Sequence, residues 1–159
     1  MISNGKFYES QFEEATIELL REAHWQYAFG DDIHRKYTDP LIEEDLRNFL
    51  TVQYKDKNLT TSEMDSIVAN LRNTGGQNDY YALRNAFLLY RDGYDFAYSD
   101  GRDNPFRLEY IDFEHPDHNI FRCVNQFVME QGRENRRPDI LLFINGIPVC
   151  IIELKNPTK

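Results

Sequence analysis

The sequence predicts an α+β fold in a single domain spanning residues 1–159. Three observations carry that reading. Helical periodicity dominates to about residue 91, strand-like alternation replaces it after about residue 105, and an Asn145-Gly146 dipeptide near the C-terminus sits between two apolar runs.

Each element follows in chain order. From Glu9 to Arg21, Phe12, Ala15, Ile17, Leu19 and Leu20 supply the apolar face of an amphipathic helix, and Glu9, Glu13, Glu14 and Glu18 take other positions. The aromatic run from Trp25 to Phe29 reads as a strand stopped by Gly30. Pro40 opens a second helix to about Leu50, with Asp39 as its N-cap. Thr60-x-x-Glu63 has the form of a capping box and precedes Met64, Ile67, Val68 and Leu71 at helical spacing. Gly75-Gly76 breaks that helix, and another runs from Asn78 to Arg91, ending near Gly93. Its aromatic series, Tyr80, Tyr81, Phe87 and Tyr90, reads as helix core. Residues 39–92 therefore form a helical insertion. Strands at Phe106–Phe113 and Ile120–Met129 lead into the terminal hairpin, giving a mostly antiparallel meander over about 106–155 on which the first helix packs. No internal repeat, low-complexity tract or linker separates these parts.

Hydrophobic content of 41% and 14% aromatics fit a globular chain with a real core. No apolar run has membrane length, and Met1 to Lys6 carries no signal-peptide core, so the expectation is a cytoplasmic protein without membrane contact. Cys123 and Cys150 lack metal-ligand spacing and read as reduced core residues. The net charge of −9 is unevenly spread: residues 117–159 hold six basic and five acidic residues, whereas residues 1–116 hold twelve against twenty-two. Nucleic-acid affinity rests on basic residues neutralising phosphates, so most of any grip on DNA must come from other domains or subunits.

The hairpin carries chemistry. Asp139 opens its first strand, and Glu153-x-Lys155 closes its second. Ionisable groups in so apolar a setting are costly unless they bind something. Asp139 and Glu153 could hold a hard divalent cation such as Mg²⁺, with the Leu154 carbonyl as a third ligand. Lys155 would orient an attacking water or stabilise the developing charge. Shared chemistry requires one face of the sheet. A strict two-residue loop would pair Asp139 with Ile152 and turn Glu153 and Lys155 to the other face, because a slip of one residue reverses every side chain. The sequence therefore predicts either an odd loop over Asn145 to Ile147 or a nearby bulge.

The stretch from Asn125 to Pro157 resembles the N-terminal nuclease domain of the restriction (R) subunit of type I restriction–modification enzymes, in the PD-(D/E)xK superfamily. The matching residues are Arg137-Pro138-Asp139-Ile140, Phe143-Ile144-Asn145-Gly146-Ile147-Pro148 and Ile152-Glu153-Leu154-Lys155-Asn156-Pro157. Ile111-Asp112-Phe113, Asn125-Gln126-Phe127 and the opening helix, with Glu9-x-x-Phe12-Glu13 before Ile17-Glu18-Leu19-Leu20, extend the likeness over nearly the whole chain. The resemblance implies a PD-(D/E)xK nuclease-like core with Asp139, Glu153 and Lys155 as catalytic residues. It adds a helix-borne Glu at the metal, Glu13 first and Glu9 in reserve. It implies Mg²⁺-dependent cutting of double-stranded DNA, and methyltransferase and specificity subunits as partners. ATP would act only in translocase domains of the full-length protein, which this chain does not contain. A Gln-x-x-x-Tyr helix that follows the Glu-x-Lys strand in R subunits is also absent, so cleavage by this chain alone is not expected.

Other features are read more plainly. Asp112 to His118 packs two His and three acids around a Pro116-Asp117 turn, whose chemistry explains the composition without a metal. His24 and His34 have no nucleophile at motif spacing. Arg133, Arg136 and Arg137 precede Asp139, where a DNA backbone would pass. Two other functions compete with the restriction nuclease: a non-catalytic docking module using the acidic insertion, and a standalone repair or resolvase-type nuclease.

Overall fold

The computed structural model describes residues 9–74 and 78–155. Its elements are α1 (Glu9–Glu22), β1 (Gln26–Phe29), α2 (Glu43–Gln53), α3 (Thr61–Arg72), α4 (Asp79–Asp92), β2 (Tyr94–Phe96), β3 (Phe106–Leu108), β4 (Phe121–Asn125), β5 (Met129–Gln131), β6 (Glu134–Arg136), β7 (Ile140–Ile144) and β8 (Ile147–Ile152). This is an α+β chain. It groups into two compact units, Met1–Ile42 with Ile120–Lys159, and Glu43–Asn119. The Gly75-Gly76 break and the Asn156-Pro157 end of the motif lie outside the described residues.

In the first unit a four-stranded sheet runs β1-β4-β7-β8. β1 is parallel to β4 and the other pairings are antiparallel. Alternation sends Val124, Leu141 and Phe143 to one face, where they pack with Ile42 and Phe127 into an apolar cluster. The rings of Phe127 and Phe143 meet at 5.0 Å. β5 and β6 form a separate two-stranded ribbon between β4 and β7. The long strand expected over Ile120–Met129 is divided there, because Gln126 adopts a left-handed φ of 56° and breaks the extended backbone.

The second unit holds α2, α3, α4 and the β2–β3 pair. Leu46, Leu50, Ile67, Val68 and Leu108 are fully enclosed. The capping box forms as read: Thr60 caps α3, and Glu63 returns a bond to the Thr60 backbone. Three expectations are corrected here. α2 begins at Glu43 rather than at Pro40, since Leu41 and Ile42 are buried and the Ile42 N–H donates to the Gly146 carbonyl at 2.9 Å. Asp39 instead accepts the Leu41 N–H in a local turn. The strand expected over Phe106–Phe113 stops at Leu108 and pairs with β2, outside the hairpin sheet. There the Tyr54 hydroxyl takes both polar groups of Glu109, at 2.6 Å from its N and 3.1 Å from its O. Finally, α4 has no buried residue, and Tyr80, Leu83 and Phe87 are exposed rather than core. Apolar spacing alone does not say whether a helix face is covered.

Candidate active site

The turn between β7 and β8 is even. Asn145 and Gly146 have φ of 51° and 75°, the left-handed pair of a two-residue type I′ hairpin, and Ile144 pairs with Ile147. Such a loop alone would set Asp139 and Glu153 on opposite faces. The register then shifts between Phe143 and Leu142: Phe143 opposes Pro148, Leu142 opposes Cys150, and Val149 is left over. Beyond this bulge Leu141 opposes Ile151 and Ile140 opposes Ile152. The ladder ends there, and this register continued by one step would set Asp139 across from Glu153. Of the two routes to a shared face, the odd loop is not taken and the bulge is.

The reason lies in what grips the turn. The buried Asn145 donates its N–H to the Ile120 carbonyl at 2.8 Å and accepts the Ile120 N–H on Oδ1 at 2.7 Å. Gly146 accepts the Ile42 N–H. A longer loop would forfeit these bonds. Pro148 has no N–H to give the ladder, so the strand bulges beside it at little cost.

Asp139 is half-buried behind the buried Pro138, and its Oδ2 accepts the Leu154 N–H at 2.7 Å. That bond fixes the carboxylate between the two residues of the Glu-x-Lys pair, both exposed. Among the described residues, the second oxygen of Asp139 takes no hydrogen bond.

Glu13 on α1 is held by different partners. Its Oε1 accepts from Asn125 Nδ2 at 2.8 Å and from Gln126 Nε2 at 3.4 Å, and Asn125 Oδ1 accepts the Tyr27 hydroxyl at 3.0 Å. Burial, then the nearby Glu13 charge, raises the pKa of that hydroxyl. Asn125 pairs with Ile140, so Glu13 lies at the same end of the sheet as Asp139. Alternation, however, gives Asn125 the face of Ile140, the reverse of the face carrying Leu141 and Asp139. Glu13, Asp139 and Glu153 are thus neighbours at one sheet end but are not drawn into one tight ligand set. Among the described residues, the three whose ligand atoms all lie within 4.8 Å of one another are Asp112, His115 and His118. Glu9 begins α1. The bonds from Asn125 to Glu13 and from Tyr27 to Asn125 each bridge about a hundred residues, and no local pattern announces Tyr27.

Arg133, Arg136 and Arg137 are exposed on and after the β5–β6 ribbon, immediately before Pro138. Among the described residues, Arg136 makes a solvent-exposed ion pair with Glu134, at 3.5 Å. His24 and His34 are exposed. Cys123 is fully buried, which raises its thiol pKa. Cys150, expected in the core, is exposed because β8 is an edge strand.

The family described as type I restriction enzyme R protein N terminus matches residues 6–159, which takes in both units. The chain belongs to this family. Relatives agree with it. The type I restriction enzyme HindI endonuclease subunit of Haemophilus influenzae is 28% identical over 161 residues, covering 95% of this chain and 15% of the relative. The putative type I restriction enzyme MjaIXP endonuclease subunit of Methanocaldococcus jannaschii is 29% identical over 153 residues, covering 91% and 15%. A second subunit of that organism, putative MjaVIIP, is 43% identical over 53 residues, a third of this chain. The chain spans about 15% of the length of the first two relatives. Within this R-protein N terminus, no described helix is long and apolar enough to cross a membrane.

Proposed function

We propose that this domain supplies the DNA-cutting site of a type I restriction enzyme's R subunit, hydrolysing phosphodiester bonds of double-stranded DNA with Mg²⁺. The observation that carries the reading is the bulged hairpin, whose shifted register pairs Ile140 with Ile152, and the bond that ties the Asp139 carboxylate to the backbone N–H between Glu153 and Lys155. The donors suit the ion: carboxylate oxygens are hard ligands, and Mg²⁺ is commonly held by one or two of them while keeping several waters. Asp139 and Glu153 would hold it; Glu13 stands at the same sheet end but is tied to Asn125 on the reverse face. When bound, the ion would neutralise phosphate charge and activate water. The Leu154 N–H keeps Asp139 oriented. Lys155 stabilises the charge that develops on the phosphate. Arg133, Arg136 and Arg137 contact the DNA backbone.

In the full-length protein, cutting would be coupled to ATP-driven translocation in other domains, with methyltransferase and specificity subunits choosing the site, all in the cytoplasm. A docking role for the unit Glu43–Asn119 is a second reading, favoured by the exposed Tyr80, Leu83 and Phe87 on α4. The two readings separate in the full-length protein. Asp139→Ala or Lys155→Ala is expected to abolish cutting while leaving ATP hydrolysis and translocation largely intact. Joint loss of cutting and ATP hydrolysis would instead assign these residues a structural role.

A further inference from the structure

We propose that Asp112, His115 and His118 bind a transition-metal dication, zinc in the first instance. The site lies wholly within the unit Glu43–Asn119 and does not depend on the nuclease reading. Its sequence, Asp-x-x-His-x-x-His, has a period of three. Pro116–His118 is a single 3₁₀ turn with His115 as its N-cap; the His118 N–H bonds back to the His115 carbonyl at 2.9 Å and the His115 N–H bonds to Asp112 Oδ1 at 2.8 Å, so successive turn bonds hold the three residues close.

Turn chemistry accounts for half of the Asp112 carboxylate. Its Oδ1 accepts the N–H groups of Glu114 and His115, at 3.1 and 2.8 Å. It does not account for Oδ2, which faces His118 Nδ1 at 3.1 Å and His115 Nδ1 at 3.7 Å. Four-coordinate zinc, with bonds of about 2.0–2.2 Å, separates neighbouring donors by roughly 3.3 Å, and these two distances bracket that value. The imidazole rings stack with centroids 4.9 Å apart and planes 16° apart. Charging both rings would set like charges against each other, whereas one shared dication satisfies both nitrogens and the carboxylate together. The rings are more than half exposed, so a rotation that brings both lone pairs onto one ion meets little resistance.

The carboxylate is already positioned. Asp112 is 5% exposed, its backbone exchanges hydrogen bonds with the Asn119 side chain, and Gln53 Nε2 donates to Oδ2 at 3.0 Å. Gln53 would thus act from outside the ligand set to orient a ligand. Two imidazole nitrogens and one carboxylate oxygen suit zinc and disfavour Mg²⁺, which takes oxygen ligands in octahedral geometry. Three protein ligands leave a fourth position open to water or to a partner's side chain.

Zinc titration of the chelator-stripped chain by calorimetry tests the site. One zinc per chain is expected, retained against about a hundredfold excess of Mg²⁺. His115→Ala with His118→Ala should weaken binding by more than the roughly 100-fold that loss of an outer contact can cost. The melting temperature in EDTA should stay unchanged, because both rings are exposed. Gln53→Ala should weaken zinc by roughly tenfold, and Asp139→Ala should leave it unaltered. Undiminished binding in the double variant, displacement by Mg²⁺, or no binding at about 1 mM zinc would overturn the proposal.

Discussion

Two carboxylates, one in each unit, show how differently an acid can be used. Glu63 in the unit Glu43–Asn119 is 2% exposed and surrounded by donors. Arg102 meets it with two bonds of 2.8 and 2.7 Å, and Thr60 and Ser99 supply the rest. The Arg102 guanidinium, followed by the Thr60 backbone, holds its carboxyl well below the usual range. Asp139 in the other unit is half-buried, takes one backbone N–H from Leu154, and stands beside an exposed Glu and Lys. A fully satisfied acid has no lone pair to spare for a ligand and works for the fold. An acid fixed by a single bond at a strand end keeps its capacity for an ion. Charge follows the same division: residues 43–119 hold fifteen acidic and eight basic residues, and the rest of the chain holds twelve and ten. The acidity that would repel DNA is concentrated in the unit that does not carry the hairpin.

Amide substitutions break the comparison most directly. Asp139→Asn keeps an acceptor for the Leu154 N–H, so the melting temperature should hold while cutting by the full-length protein falls on the order of 100- to 1000-fold. Glu63→Gln should do the reverse, lowering the melting temperature and sparing cutting by the folded fraction. Its effect should also depend on pH. The folded pKa of Glu63 is depressed, so its stabilisation is complete above the unfolded value of about 4.3 and fades as pH falls below that towards the folded value. Melting curves over roughly pH 2 to 8 should therefore show wild type and Glu63→Gln converging in acid. A constant gap would mean that Glu63 contributes through packing rather than charge.

Asn145→Ala is next in size. It leaves the Ile120 N–H without its acceptor and puts a residue with no polar side chain into the left-handed region, for a loss of about 2–4 kcal/mol in denaturant unfolding. A loss under about 1 kcal/mol would show that the turn does not depend on the Ile120 contact, and the explanation of the even loop would fail.

These positions also mark what the chain made legible. The capping box at Thr60 and Glu63, the opening helix and the Asn145-Gly146 turn are local signals, and each appears where its residues predict. The start of α2 was not readable, because Ile42 is taken into the apolar cluster and bonds to the hairpin turn by contacts across about a hundred residues. β2 and β3 are three residues each, too short for alternation to register. At the candidate site, the need for Asp139 and Glu153 to share a face was deducible from parity. Whether loop or bulge would meet it depended on Ile120 and Ile42, which no reading of the hairpin alone contains. The bonds from Asn125 and Gln126 to Glu13 span more than a hundred residues and were equally out of reach.

The smallest effect is expected from deleting Val149, and it tests the parity argument itself. Val149 is the unpaired residue of the bulge and is 43% exposed, so its removal takes little from the core. With it gone the ladder becomes regular, Leu142 still opposes Cys150, Ile140 still opposes Ile152, and one further step would still set Asp139 across from Glu153. Stability should change by about 1 kcal/mol or less, and hydrogen exchange along β8 should slow as the ladder heals. Full-length protein carrying the deletion should continue to cut. If it folds but does not cut, the bulge contributes more than a change of face: its added local twist would be what aims Glu153 and Lys155 at Asp139, and the pairing of carboxylates alone would not be enough to build the site.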